Sequence, residues 1–310
     1  MGLTSIKVPG KVMLSGEYAV LYGGTATLVP VPLYLEADEL ESSPPKQYSP
    51  VVEAGLGLDI PEIREYELKN GKPHVTIDNT MLFGKDDTGK LIKLGLGSSA
   101  AEAVAVVKLR LKRAQSDKAD DLAFVLDYAY RIHDKVQGGA GSGADVAACT
   151  FAKPIIFISK YDPESKGLIR SATSIQTSYK YPMNLLWTGV PADTRVMIAK
   201  FGRWVENSGK SAQALLSEMT DISDELANLW FNVELDVIFD KLDEFSELME
   251  NCAIDADLNY LLPIHERIEN WAIANGGRAK PTGAGGGDMI LLIGELPLNE
   301  LHELIIPMDI

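Results

Sequence analysis

Leu94-Gly95-Leu96-Gly97-Ser98-Ser99-Ala100-Ala101 is the stretch on which the reading of this chain turns. Two glycines let the backbone approach a ligand closely. Ser98 and Ser99 open an Ala/Val-rich helical segment that ends near Arg113, and free N–H groups at a helix start attract phosphate. Serine hydroxyls suit phosphate oxygens or a hard cation. A tight turn with a serine N-cap would use the same residues, so the loop alone does not decide between the two. It is not the common P-loop, which needs Gly-x-x-x-x-Gly-Lys-Ser/Thr. Gly209-Lys210-Ser211 has the end of that motif, but Trp204 stands where the first glycine belongs. A dinucleotide fingerprint also fails, because the third glycine and the strand-borne acid are missing.

Two further loops work with the first. Pro281-Thr282-Gly283-Ala284-Gly285-Gly286-Gly287-Asp288 precedes an apolar strand. So dense a glycine run costs conformational entropy, which a plain connector does not require. Pro9-Gly10-Lys11 sets a cation beside a tight turn near the start.

The rest of the chain bounds the function. Its 310 residues fit one large domain or two packed ones, and 46% hydrophobic residues supply a core. A net charge of -15 excludes nucleic-acid binding through a general basic surface. Anionic ligands must be held by helix N-termini, backbone N–H groups, a metal ion and a few placed cations. Cys149 and Cys252 sit in apolar sequence and suggest no disulfide framework. No apolar run is long enough for a bilayer. The opening Met1-Gly2-Leu3-Thr4-Ser5-Ile6 lacks a signal-peptide pattern, and Ile6 breaks the myristoylation pattern. A cytoplasmic chain without membrane partners is expected.

Periodicity predicts strands over Leu3–Pro9, Lys11–Leu21, Thr25–Ala37, Pro73–Asp78, Pro154–Ser159, Met183–Gly189, Arg195–Lys200 and Asp288–Leu292. Pro30 and Pro32 place the third near an edge or bend. Asp38–Pro50 reads as a loop. Helices are expected over Ala119–Val136, from Asp145, and over Ser208–Phe231, Leu235–Asn251 and Asp257–Asn275. Gly138–Gly143 is a further glycine loop. A division near 165 gives units 1–165 and 166–310.

The three motifs, in order, resemble the galacto-, homoserine, mevalonate and phosphomevalonate (GHMP) kinase family over nearly the whole chain. They are Val8–Val20, Gly95–Ala101 and Pro281–Asp288. Gly16-Glu17-Tyr18-Ala19-Val20-Leu21, His133–Gly138 with Gly141–Ala148, and Trp187-Thr188-Gly189 with Thr194 are most similar to the phosphomevalonate kinase branch. The resemblance implies an α+β, two-lobed fold with the site between an N-terminal nucleotide-binding lobe and a C-terminal α/β lobe. It implies a kinase using ATP and Mg²⁺ on a small-molecule substrate, with 5-phosphomevalonate first and mevalonate or a sugar as rivals. A decarboxylase and a non-catalytic nucleotide-binding regulator are more distant alternatives.

The resemblance also assigns roles. Gly95, Leu96, Gly97, Ser98, Ser99 and Ala100 would hold the nucleotide. Lys11, Lys93 and Asp145 would be catalytic, although a helix N-cap is the plain alternative for Asp145. Lys11, Ser142, Gly143, Asp145 and Gly285 would contact the acceptor. Ser99 and Asp134 would bind Mg²⁺, with a solvated carboxylate as the alternative for Asp134. Lys93 is the residue that argues for a phosphorylated acceptor, which brings roughly two more negative charges near pH 7. His74, His265 and His302 receive no role. A homodimer is left open, and Lys160–Lys180 matches nothing recognisable.

Overall fold

The computed structural model describes residues 3–41, 45–85, 88–139, 141–164 and 167–308. Met1 and Gly2, part of the expected 38–50 loop, Ala140 and the division at 165/166 lie outside these residues. The chain order is β1 (Ser5–Ser15), β2 (Thr25–Leu40), α1 (Pro50–Gly57), α2 (Arg64–Asn70), β3 (His74–Asp78), β4 (Phe83–Lys85) and β5 (Leu91–Lys93). There follow α3 (Ser98–Arg113), α4 (Leu122–Gln137), α5 (Ala144–Phe151), β6 (Ile155–Asp162), β7 (Gly167–Ser174) and β8 (Met183–Trp187). The chain ends with α6 (Thr194–Ser208), α7 (Lys210–Leu229), α8 (Leu235–Asp255), α9 (Pro263–Ala274), β9 (Arg278–Pro281), β10 (Met289–Ile293) and β11 (Ile305–Met308).

Two antiparallel sheets organise these elements. The first runs β1-β2-β6-β7, with β3 also paired to β2; the second runs β11-β8-β10-β9. β4 and β5 form a separate hairpin. β6 and β7 are hydrogen-bonded along their length, so membership of the first sheet continues to Ser174. β1 is one strand rather than two, with a register shift between Pro9 and Lys11 in place of a break. It stops at Ser15, because Gly16 turns at φ 94° and leads into a short 3-10 turn. β2 lies inside the sheet. Its two prolines are tolerated because β6 pairs only with Thr25–Leu28 and β3 only with Glu36–Leu40.

α3 runs through the core, with most of its residues buried on every side. Its alanines keep neighbouring elements close. Near its far end Arg110 is buried, and its guanidinium donates to both carboxylate oxygens of Glu67 and to the Gly55 carbonyl. α9 lies against the second sheet, where Ile268 and Ala272 pack with Leu186, Ala279, Ile290 and Leu292. Trp230, fully buried, donates from Nε1 to Ser15 Oγ at 2.9 Å and so ties the helical half to β1.

Three expectations change. Residues 195–200 are helical, not extended: Asp193 caps α6 by accepting from Val196 N, and Met197 and Phe201 bury one face at i, i+4 spacing. Gly209, at φ 55°, separates α6 from α7 where one helix was expected from Ser208. The last helix begins at Pro263 instead of 257, since proline fits the first helical turn. No helix among the described residues is long and apolar enough to cross a membrane.

His265 supplies a test of packing. The Leu262 N–H donates to its Nδ1 at 2.8 Å, and Nε2 is buried without a partner. Burial pushes its pKa down to about 4 from 6.5. The folded state therefore prefers neutral imidazole. Its contribution is complete above the unfolded pKa of about 6.5 and is lost as pH falls toward the folded value, at up to ~1.4 kcal/mol per pH unit. His265→Asn should flatten the stability profile by about one proton's slope between roughly pH 6.5 and 4.5, measured by urea unfolding. Parallel profiles for the two proteins would show that His265 titrates normally.

Candidate active site

The three glycine loops and β1 meet at Lys11. Its residue is 8% exposed, and its Nζ stands 3.1 Å from Asp145 Oδ1 and 3.5 Å from the Gly95 carbonyl. The Lys11 N–H also donates to the Leu96 carbonyl at 2.9 Å. Burial works against the ammonium, but Asp145 opposite it, with lesser help from Asp288, holds its pKa above the usual lysine value. The Cys149 thiol behind it is pushed up by burial and stays a neutral core group.

Glycine at 95 and 97 has a geometric cause. Both adopt left-handed backbone, φ 76° and 80°. A Cβ on Gly95 would stand 2.4 Å from Asp288 Oδ2, and one on Gly97 3.0 Å from Lys11 Cε. Gly97 is itself the cap residue of α3, with no side-chain cap bond, so the serine N-cap reading does not hold. Ser98 and Ser99 lie in the first turn, and the N–H groups there are uncapped by any side chain. Ser99 Oγ accepts from Gln137 Nε2 at 3.4 Å.

Two cavities share this wall. The larger, about 820 Å³, is lined by Lys93, the 95–100 loop, Gln137 and the start of α6 from Pro191 to Arg195. The smaller, about 200 Å³, is lined by Lys11, Met13, Glu17, Tyr18, Ser142, Gly143 and Thr282–Ala284. Gly95, His133, Gly141, Asp145, Thr194, Ile198 and Asp288 border both. Every residue expected to hold the nucleotide thus lines the larger cavity. Lys11, Ser142, Gly143 and Asp145 line the smaller. Lys93 is exposed on β5 and lines the larger cavity and not the smaller.

Two expected residues do not join. Gly285 is buried against Tyr260, whose Cδ2 would lie 2.2 Å from an added Cβ; the cavity wall from this loop is Thr282, Gly283, Ala284 and Asp288 instead. Asp134 is not a free metal ligand. Its two carboxylate oxygens accept from Arg170 at 2.7 and 2.9 Å, and it lines neither cavity. Among the described residues no three His, Cys, Asp or Glu side chains converge into a metal site of their own.

Other groups emerge only in three dimensions. Asp288 Oδ1 accepts from Ala192 N at 3.1 Å, and burial pushes this carboxyl up while Lys11 draws it down. Glu17 pairs with Lys280, Nζ to Oε1 at 2.5 Å, with both side chains almost wholly buried, and Glu17 Oε2 has no partner among the described residues. Tyr18 Oη donates to the Ala284 carbonyl at 2.8 Å. His133 is half-buried at the junction, and burial lowers its pKa against the pull of Asp145. His133, Glu17 and Asp288 all lie in quoted motifs, but their individual positions carried no signal; Lys280 carried none.

Known proteins share this architecture. Residues 65–153 match the family described as GHMP kinases N terminal domain. No curated protein matches the sequence. Streptococcus pneumoniae phosphomevalonate kinase matches in structure with TM-score 0.78 and 18% identity, over 100% of both chains. A complex of phosphomevalonate kinase from that organism with phosphomevalonate and AMPPNP matches at 0.76 and 19%, over 94% of this chain and 92% of the other. Methanococcus jannaschii mevalonate kinase matches at 0.71 and 17%, over 100% and 98%. Residues 65–153 thus match the GHMP kinase N terminal domain family, and over its whole length the chain shares its fold with the phosphomevalonate and mevalonate kinases.

Proposed function

We propose that the chain is an ATP-dependent small-molecule kinase, with 5-phosphomevalonate as the favoured acceptor and 5-diphosphomevalonate as product. The observation that carries the kinase reading is the buried Lys11 ammonium, paired with the part-exposed Asp145 in the wall between a large and a small cavity. The large cavity meets a helix start that no side chain caps, which suits nucleotide phosphates. The small one suits a compact acceptor. Phosphoryl transfer asks the protein mainly for alignment and charge stabilisation, and a buried ammonium at the junction offers both.

Mg²⁺ fits this reading as a companion of the nucleotide. It normally keeps several waters and takes only one or two protein oxygens beside the phosphates. Ser99 Oγ and the Asp145 carboxylate both line the large cavity and are the oxygens that would hold it. The ion would supply neutralisation of phosphate charge. Asp145 keeps Lys11 charged and in place. A phosphorylated acceptor attacks through an oxygen whose second pKa is about 6, so it needs no strong base.

A second reading, an unphosphorylated acceptor such as mevalonate, is favoured by one observation. Among the described residues Lys11 is the only Lys or Arg lining the small cavity, whereas Lys93 and Arg195 line the large one. ADP release measured with mevalonate, 5-phosphomevalonate, homoserine and sugars separates the two. The expected result is highest kcat/KM with 5-phosphomevalonate and a loss of about 10- to 150-fold for Lys93→Ala. Best turnover of mevalonate, with Lys93→Ala weakening only ATP binding, would establish the second reading. ATP binding without turnover of any acceptor would point to a regulator.

Two variants test the wall itself. Gly97→Val should weaken ATP binding at least about 10-fold, because its side chain displaces the Lys11 stem. Gly89→Ala is the control: its φ is 80° and nothing lies within 4 Å of an added Cβ. It carries the backbone cost alone and should leave ATP affinity unchanged in calorimetry. Asp145→Asn should remove most turnover while ATP still binds; a near-normal rate would reduce Asp145 to a helix-start residue.

A further inference from the structure

Asp145 is the second residue of α5, and the 141–143 loop before it sets where that helix starts. Ser142 Oγ accepts from Ala144 N at 3.3 Å, and α5 begins only at Ala144. The Gly143 carbonyl accepts from Ala147 N at 3.1 Å, and side-chain support comes from Arg170 on β7. Its Nε donates to the Ser142 carbonyl at 2.7 Å, and one terminal nitrogen reaches the Gly141 carbonyl at 3.4 Å. The same guanidinium makes the two-pronged pair with Asp134 and lies 4.5 Å from the centre of the Tyr130 ring. Its side chain is only 10% exposed. Gly143, at φ 90°, rests directly on this stack: an added Cβ would be 2.7 Å from Tyr130 Cε1 and 2.9 Å from Arg170 Nε.

We propose that Arg170, locked by Asp134 and Tyr130, is a positioning residue that fixes the 141–143 backbone and through it the Lys11–Asp145 pair. The inference rests on the reading of that pair as the reacting wall. Arginine is required because one planar group must serve a carboxylate on one edge and loop carbonyls on the other. Asp134 neutralises a guanidinium that would otherwise be buried unpaired. Lysine at 170 keeps the charge but cannot span both partners.

The test compares Arg170→Ala, Arg170→Lys and Asp134→Asn with the unaltered chain. Arg170→Ala should lower kcat by about 10- to 100-fold, the scale of a small misplacement at the reacting centre, with KM for ATP changed less than about twofold. Low concentrations of guanidinium should restore part of the rate to the Ala variant, and Arg170→Lys should not. Hydrogen exchange of amides 141–146 should quicken in all three variants while exchange in the β8–β10 sheet is unchanged. A merely structural loss would lower the active fraction, and guanidinium would worsen it. Normal kcat in Arg170→Ala, or unchanged exchange at 141–146, would overturn the proposal. Should the Ala variant not fold, the Lys and Asn variants carry the same readouts. If the unaltered chain turns over no acceptor, the kinase reading fails, and exchange alone then decides the clamp.

Discussion

The burial of one ammonium group constrains everything around it. Lys11 is placed by β1, and an uncompensated charge at that depth would cost several kcal/mol. Asp145 must therefore come within ion-pair distance, which fixes where α5 begins. The Gly95 carbonyl and the Leu96 carbonyl close over the lysine from the other side. That proximity leaves no room for side chains at 95 and 97, and the left-handed turns there are the result. Asp288 fills the space above Gly95 and in turn holds Ala192, at the entrance to α6. A single electrostatic requirement thus draws four segments distant in sequence to one wall.

The same segments also hold the two halves together. Glu17–Lys280, Tyr18–Ala284 and Ser15–Trp230 all join β1 and the turn after it to the C-terminal half. Tyr18 adopts φ 57°, a left-handed conformation that costs of order 1–3 kcal/mol for such a residue. Its ring lies against Phe201, 4.4 Å between centres, and its hydroxyl is satisfied by Ala284. The strain persists because these contacts over-determine it.

What could be read from the sequence follows the range of each interaction. The glycine loops announce themselves locally, since each glycine answers a backbone need within a few residues. α3, α4 and α8 show in their helical periodicity. α6 was mistaken for a strand because Arg195–Lys200 is short and β-branched, while its defining contacts, Met197 and Phe201, reach into the core. α1 and α2 lie in a stretch with no clear period. Asp134 illustrates the limit most clearly. Its position in the motif suggested a metal ligand, but its partner is Arg170, 36 residues on, in a stretch without a recognisable match. Nothing local to either residue signals the pair. Lys280 and Glu17 are 263 residues apart, and the same reasoning holds.

Charge explains why such distant pairs recur here. The chain carries -15 overall, so any anionic ligand of the two cavities would approach against a repulsive surface field. Attraction must be local and shielded from that field. Buried Lys11, the uncapped start of α3, and Lys93 and Arg195 on the larger cavity supply it. Acidic groups on the wall or just behind it are neutralised: Glu17 by Lys280, Asp145 by Lys11 and, behind the wall, Asp134 by Arg170. Asp288 is the partial exception, a carboxyl whose pKa burial raises, with only Ala192 N–H and the reach of Lys11 to oppose it. Anionic ligands entering either cavity meet this group, so its protonation grows more favourable as negative charge accumulates beside it.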